Sequence, residues 1–135
     1  MAESTKTLRA AFGETDAAGI VYYPNYLRWF DQASHDLFGR LGYSSGDLLR
    51  QGVTMAVIEV HARYHAALAF EDEITITSRV SEVRIRALRI EHTVRRGDQV
   101  VCEGYEVRMW VRVSAEDGRL QPDSIPDDLR AALAS

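Results

Sequence analysis

Apolar residues in "TKTLRAAF" alternate at Leu8, Ala10 and Phe12, which puts them on one side of an extended chain and predicts a strand. A loop, "GETDAAG", follows, and then the period changes. From Pro24 to about Leu41, Tyr26, Phe30, Ala33, Leu37 and Leu41 recur at helical spacing, with Leu27, Ser34 and Phe38 beside them. Pro24 suits the first turn, where a missing N–H costs nothing, and Gly39 and Gly42 are placed to end the helix. "YSSGDLLRQG" predicts a short helical turn, with Ser44 as cap and Asp47 completing a capping box.

The second half alternates. "TMAVIEVHARY" sets Ala56, Ile58, Val60, Ala62 and Tyr64 on one side; "DEITITSRV" gives Ile74, Ile76 and Val80; "ALRIEHTV" gives Leu88, Ile90 and Val94. A long strand over 100–113 places Val101, Tyr105, Val107, Met109, Val111 and Val113 on one face. "RRGD" and "EDGR" supply turns, while the turn around Arg84–Ala87 lacks Gly, Pro or Asn. "PDDLRAALA" predicts a terminal helix. The order is strand, long helix, four antiparallel strands: an α+β chain with a helix across one face of about five strands. The sheet's first and second long strands are expected to carry exposed edges that a second copy would cover, so a dimer is predicted.

With 135 residues the chain reads as one domain over 1–135. Folding at that size buries about 68–70% of the unfolded surface, enough for one core. The net charge of −4 argues against a nucleic-acid or anionic-membrane binder, so any polyanionic ligand must meet a local basic cluster. The one cysteine, Cys102, forms no disulfide within the chain and reads as a core residue. The polar start and the lack of a long apolar run predict neither signal peptide nor membrane span, which makes a cytoplasmic location the default.

Four groups of residues carry candidate chemistry. His61 and His65 have the i, i+4 spacing of zinc ligands on a helix, but in a strand that spacing separates them by roughly 13 Å, so no metal site is expected. Ser44 and Ser45 lack a nucleophile elbow, and helix capping explains them. Arg84, Arg86 and Arg89 crowd one segment of an acidic chain. They read either as a solvated strand edge or as a phosphate clamp. Two arginines two apart on a strand would project to the same side, which favours Arg84 and Arg86. Asp16, in "TDAAGIVYYPNY", can be a turn aspartate. Its neighbours suggest more. Val21, Tyr22 and Tyr23 exclude water, Gly19 permits close approach, and the helix start at Pro24 leaves amides unpaired, of which Tyr23's is the natural donor. A carboxylate beside such an amide supplies two parts of an acyl-transfer site.

At these residues the chain resembles the hot-dog-fold acyl-CoA thioesterases of the 4-hydroxybenzoyl-CoA thioesterase type. Asp16, Gly19, Ile20, Val21, Tyr22, Tyr23, Pro24 and Asn25 fill that family's first signature, and "ARYHAALAFEDEITI" is similar to its second. The resemblance implies a five-stranded antiparallel sheet wrapped around one long helix. It implies homodimers with active sites at the subunit seam, pairing again into homotetramers. It makes Asp16 nucleophile or general base and the Tyr23 amide the group that polarises the thioester carbonyl. It puts Gly19, Pro24, Asn25 and Asp31 at the substrate, Asp31 near the acyl ring, with Arg84 and Arg86 on the CoA phosphates, often from another subunit. CoA is part of the substrate, and no separate cofactor or metal is expected.

The chain departs from this pattern in places. Ala17 follows Asp16 where the family can have proline, and Tyr23 stands where a branch acting on short aliphatic or carrier-protein thioesters has histidine. The second departure favours a small aromatic acyl group, benzoyl or hydroxybenzoyl. The alternatives are a short-chain aliphatic acyl-CoA or acyl-carrier-protein thioesterase, a helix-carboxylate mechanism using Asp31 or Asp36, and a non-catalytic acyl-CoA-binding module.

Overall fold

A computed structural model describes residues 1–135. The chain runs through β1 (Glu3–Arg9), a single 3-10 turn (Phe12–Glu14), α1 (Pro24–Arg40), α2 (Ser45–Arg50), β2 (Val53–Tyr64), β3 (Glu73–Val83), β4 (Ala87–Arg96), β5 (Gln99–Val113), β6 (Leu120–Pro122) and α3 (Asp127–Ala134). The strands make one antiparallel sheet in the order β1-β3-β4-β5-β2, with the short β6 added to the C-terminal end of β5. α1 lies against the inner face of this sheet, the hot-dog arrangement. Five long strands follow the sequence periodicity; the sixth is three residues that it does not mark. Ser44 caps α2 by accepting the Asp47 amide proton at 3.3 Å, as expected, but the Asp47 carboxylate pairs with Arg50 in place of completing a capping box.

Several expectations need correction. Phe12 does not extend β1. It sits in the 3-10 turn, 74% exposed, with its ring edge-on to Phe70. Arg84 and Arg86 are not strand neighbours projecting together. β3 ends at Val83, and they occupy the turn into β4, closed by the Arg84 N–H donating to Ala87 O at 2.7 Å.

A β-bulge at Val57–Glu59 inserts one residue into β2 and shifts its alternation. Val53, Met55 and Val57 precede the shift on the inner face, whereas Val60, Ala62 and Tyr64 follow it, so Ala56 and Ile58 leave the row the periodicity gave them. On β5, Tyr105, Val107 and Met109 do share a face, but it is the outer one. The inner face carries Cys102, Gly104, Glu106, Arg108 and Trp110.

That inversion divides the core. One apolar cluster gathers Tyr26, Trp29, Phe30, Ile74, Ile76 and Cys102 around the N-terminal half of α1. The other gathers Leu37, Phe38, Leu88, Trp110, Leu129 and Leu133 around its C-terminal half and α3. Between them, Ser34, Ser78, His92, Glu106 and Arg108 are all buried, forming a polar seam from the sheet centre towards β2.

Gly104 sits where this seam meets Phe30. A Cβ there would collide with the His61 carbonyl and the Phe30 ring, one of them rigid backbone. Gly104→Ala is expected to cost about 2 kcal/mol through overpacking, read as a lower urea midpoint at unchanged slope.

The free edges differ. β1 displays Lys6 and Arg9, charges that discourage pairing, whereas β2 exposes Val57, Ile58, Val60 and Tyr64.

Candidate active site

The loop between the 3-10 turn and α1 is a closed structure. Thr15 and Val21 form an isolated antiparallel bridge. Within it the Asp16 N–H donates to Ile20 O at 2.9 Å and the Gly19 N–H to Asp16 O at 3.0 Å. Gly19 has φ +82°, a conformation that excludes most side chains. The turn reading of Asp16 accounts for half of its carboxylate: Oδ1 accepts the Ala18 N–H at 2.8 Å. Oδ2 has no partner in the chain, and the residue is exposed.

Glu14, which periodicity does not single out, fastens this loop to the helix. Its carbonyl accepts the Tyr22 N–H and the Asn25 Nδ2, each at 2.8 Å. Its carboxylate accepts the Ala11 N–H through Oε1 and the Trp29 Nε1–H through Oε2, again at 2.8 Å. The signal was present in sequence as a lone carboxylate two residues before Asp16, but only the fold brings Trp29 to it. Asn25 is therefore buried with its amide spent on Glu14, bracing the helix start.

Pro24 opens α1, and Tyr23 before it is already helical at φ −55°, ψ −34°. The Tyr23 N–H meets no acceptor in the chain, whereas the Asn25 and Tyr26 amides close turns onto Tyr22 and Tyr23 carbonyls. This leaves an unpaired donor at the positive end of a 17-residue helix. Tyr64, on β2, donates its hydroxyl to Tyr23 O at 3.0 Å and packs edge-on against Tyr26, ring centroids 5.0 Å apart. Burial pushes the Tyr26 phenol up to about 12. Ile20, Val21, Tyr23, Tyr26, Tyr64 and Ala66 line a groove of about 320 Å³ beside the loop.

Asp31 lies two turns further along α1, on the same side as Tyr23 and Leu27 by i, i+4, i+8 spacing. Its Oδ1 accepts from Arg108 Nη2 at 2.7 Å and faces His35 Nε2 at 3.3 Å. Arg108 also binds Glu106 Oε2 at 2.9 Å and the Met55 carbonyl at 2.9 Å. His92 Nε2 faces Glu106 Oε1 at 3.1 Å, Ser34 donates its hydroxyl to the same oxygen, and Ser78 Oγ meets His92 Nδ1 at 2.8 Å. Since a carboxylate offers no proton, Nε2 is the protonated ring nitrogen. Burial alone would raise the Glu106 carboxyl; the His92 hydrogen bond, then the Arg108 charge and hydrogen bond, then Ser34, overcome it and hold it down to about 2. Burial, followed by the Arg108 charge, pushes His35 below its usual range against the pull of Asp31.

The remaining candidates are dispersed. Arg84 is paired with Glu82 at 2.8 Å, and the Ile85 carbonyl beside it accepts from Ile125 N and Arg130 Nη2, which ties this turn to α3. The turn thus belongs to the C-terminal end of α1, away from the Asp16 loop. Arg89 stacks its guanidinium 3.7 Å over Tyr105 on the outer sheet face, and His61 stacks on the same ring. His65 pairs with Glu103 at 3.2 Å. Cys102 is buried, and burial pushes its thiol up to about 12. No helix is long and apolar enough to cross a membrane.

Known proteins resemble this chain in sequence and in fold. The 4-hydroxybenzoyl-CoA thioesterase of Pseudomonas sp. (strain CBS-3) is 31% identical over 132 residues, covering 92% of each chain. An acyl-CoA thioesterase of Haemophilus influenzae is 26% identical over 128 residues, 93% of this chain and 90% of that one. Among solved structures, an aspartate-to-asparagine mutant of 4-hydroxybenzoyl CoA thioesterase complexed with 4-hydroxybenzoyl CoA superposes with a TM-score of 0.88 at 29% identity over 100% of both chains. A gentisyl-coenzyme A thioesterase superposes with a TM-score of 0.87 at 31% identity over 96% of this chain and 99% of that one. Residues 10–133 match the family described as thioesterase-like, and with these similarities the chain belongs to the thioesterase-like superfamily of hot-dog proteins.

Proposed function

We propose that this thioester hydrolase cleaves a small aromatic acyl-CoA, benzoyl or hydroxybenzoyl, to the free acid and CoA. The observation that carries the reading is a single closed loop with a partnerless carboxylate oxygen on Asp16 at one end and the partnerless Tyr23 amide at the other. The thioester carbonyl accepts from the Tyr23 N–H, which stabilises the oxyanion that develops. Asp16 either removes a proton from the attacking water or adds to the carbonyl carbon itself. In the first route hydroxide adds, the C–S bond breaks, and the CoA thiolate leaves and is protonated. In the second the Asp16 oxygen adds to the carbonyl carbon, the C–S bond breaks and the CoA thiolate leaves and is protonated, and water hydrolyses the resulting acyl anhydride to release the acid and restore the carboxylate. Both routes draw only on the carboxylate and the amide, with CoA entering as part of the substrate.

Gly19 keeps the loop tight beside the thioester, and Pro24 with Asn25 fixes the helix start that aims the amide. The tyrosine-lined groove and the exposed Val57 and Val60 supply an apolar surface for an aromatic acyl group. Relatives named for 4-hydroxybenzoyl and gentisyl thioesters support that choice. Arg84 and Arg86 lie in the β3–β4 turn beside α3, away from the Asp16 loop of their own chain, so the CoA phosphates meet them on another copy. Pairing through the apolar β2 edge gives the dimer, and two dimers give the tetramer. Elution at the mass of a single chain at micromolar concentration would refute that pairing.

A screen of CoA thioesters, scored by thiol release, tests the substrate class. Benzoyl- and hydroxybenzoyl-CoA are expected to exceed short aliphatic thioesters by at least tenfold in kcat/KM. Faster turnover of acetyl-, butyryl- or carrier-protein-bound acyl groups would instead assign the chain to the aliphatic branch.

A further inference from the structure

Tyr23 holds a backbone conformation that the residue after it disfavours. A proline pushes the residue ahead of it out of the helical region, towards ψ of about +120° to +160°. Tyr23, ahead of Pro24, has ψ −34°. That angle sets how the peptide carrying the Tyr23 N–H is turned relative to α1, so whatever holds the angle also aims the unpaired amide. Three hydrogen bonds hold the Tyr22 and Tyr23 carbonyls. The Asn25 N–H donates to Tyr22 O at 3.0 Å, the Tyr26 N–H to Tyr23 O at 3.3 Å, and the Tyr64 hydroxyl to Tyr23 O at 3.0 Å. Only the third reaches in from the sheet.

Tyr64 is itself fixed. It ends β2 opposite Cys102 of β5, and the next two amides, His65 and Ala66, donate to Val101 O at 2.9 Å and 3.3 Å. Its ring stands edge-on to Tyr26 and to Tyr23, with centroids 5.0 Å and 6.5 Å away. Burial, then the neighbouring Cys102 and Tyr23, pushes its phenol up, which keeps the donated proton in place at neutral pH. Tyr64 and Tyr23 also line the same groove beside the Asp16 loop.

We propose that Tyr64 is a positioning residue for thioester hydrolysis: its hydroxyl holds the Tyr23 carbonyl in the helical direction and thereby aims the Tyr23 N–H at the thioester oxygen. The inference rests on the polarising role given to that amide above and deepens it, because it names the side chain that sets the amide's direction. The thioester carbonyl is common to every substrate, so the effect of Tyr64 is independent of the acyl group.

Tyr64→Phe deletes the hydroxyl and keeps the ring, and with one neutral hydrogen bond at stake the variant is expected to fold. Tyr105→Phe, which deletes a hydroxyl bonded to Glu59 on the outer sheet face, controls for the loss of one tyrosine hydrogen bond. Both are compared with wild type by urea unfolding and by kcat and KM for 4-hydroxybenzoyl-, benzoyl- and butyryl-CoA. The carbonyl itself is read by infrared spectra of bound phenacyl-CoA, isotope-labelled at that carbon. In this ketone a methylene separates sulfur from the carbonyl, so it cannot be hydrolysed. Tyr64→Phe is expected to lower kcat by about tenfold on every thioester that wild type hydrolyses, a fraction of the hundredfold or more that deleting an oxyanion donor costs. KM is expected to stay within about threefold, since the weakened interaction belongs to the transition state. Wild type and Tyr105→Phe are expected to lower the carbonyl stretch below that of the free ketone, and Tyr64→Phe to move it back towards the free value. A purely structural tyrosine would lower stability and leave the band in place.

Wild-type kcat in folded Tyr64→Phe, a loss confined to one acyl group, or an unmoved carbonyl band overturns the proposal while leaving the thioesterase reading intact. A wild-type band at the free ketone's frequency overturns the role of the Tyr23 amide and this inference with it.

Discussion

Asp16→Asn is expected to lower kcat for the preferred thioester by about 10⁴-fold, in keeping with loss of a covalent or general-base group. The substitution is a clean one. Asparagine keeps an oxygen where Oδ1 accepts the Ala18 N–H, so the turn that holds Gly19 and the Thr15–Val21 bridge survives. The residue is exposed, and stability should stay within about 0.5 kcal/mol of wild type. What disappears is the carboxylate oxygen that has no partner in the chain. Single-turnover measurements with hydroxybenzoyl-CoA separate chemistry from product release, and the KM is expected to move far less than kcat. Activity within tenfold of wild type would remove Asp16 from the reaction. If Asp31→Asn then abolished turnover on both substrates, the carboxylate on the helix would be the acting group.

The parts of this site that were legible in sequence are those set by local chemistry. "TDAAGIVYYPNY" encodes a glycine turn, a proline-started helix and an amide that proline cannot use, all within twelve consecutive positions. Helical periodicity located α1 because its buried face is unbroken from Tyr26 to Phe38. The failures come from long-range effects. The Val57–Glu59 bulge changes which β2 residues face inward, and no residue type announces it. On β5 the alternation is strong but its sense is reversed, since Glu106 and Arg108 occupy the covered face and Val107 and Met109 the outer one. Apolar periodicity fails there because Glu106 and Arg108, neighbours on one face of β5, pair with each other and with His92 on β4 and Asp31 on α1, partners that only the assembled fold brings to them. Arg84 and Arg86 read as strand neighbours because no glycine or proline marks their turn; the carbonyl of Ala87 closes it without either.

The buried seam makes a second large effect calculable. Glu106 titrates near 4.5 when unfolded and is held down to about 2 in the fold, so its ionised form stabilises the protein by about 3 kcal/mol. A depressed carboxyl contributes fully above its unfolded value and loses that contribution as pH falls through the folded one. The loss therefore falls between pH 4.5 and about 2. Glu106→Gln imitates the protonated acid at every pH. It leaves the Arg108 guanidinium buried with Asp31 as its only anionic partner, and it turns the His92 contact into a neutral one. The variant is expected to unfold about 3 kcal/mol more easily than wild type at pH 7. The gap should close as acid is added, because the wild-type side chain takes up the proton whose absence distinguishes the two. Half-buried carboxylates with their own partners, such as Asp72 and Asp123, titrate in both proteins and cancel in the difference. Urea unfolding of both proteins from pH 7 down to 3 provides the measurement. A constant gap across that range would mean that Glu106 supports the seam by shape and hydrogen bonding, with its charge uncoupled from folding.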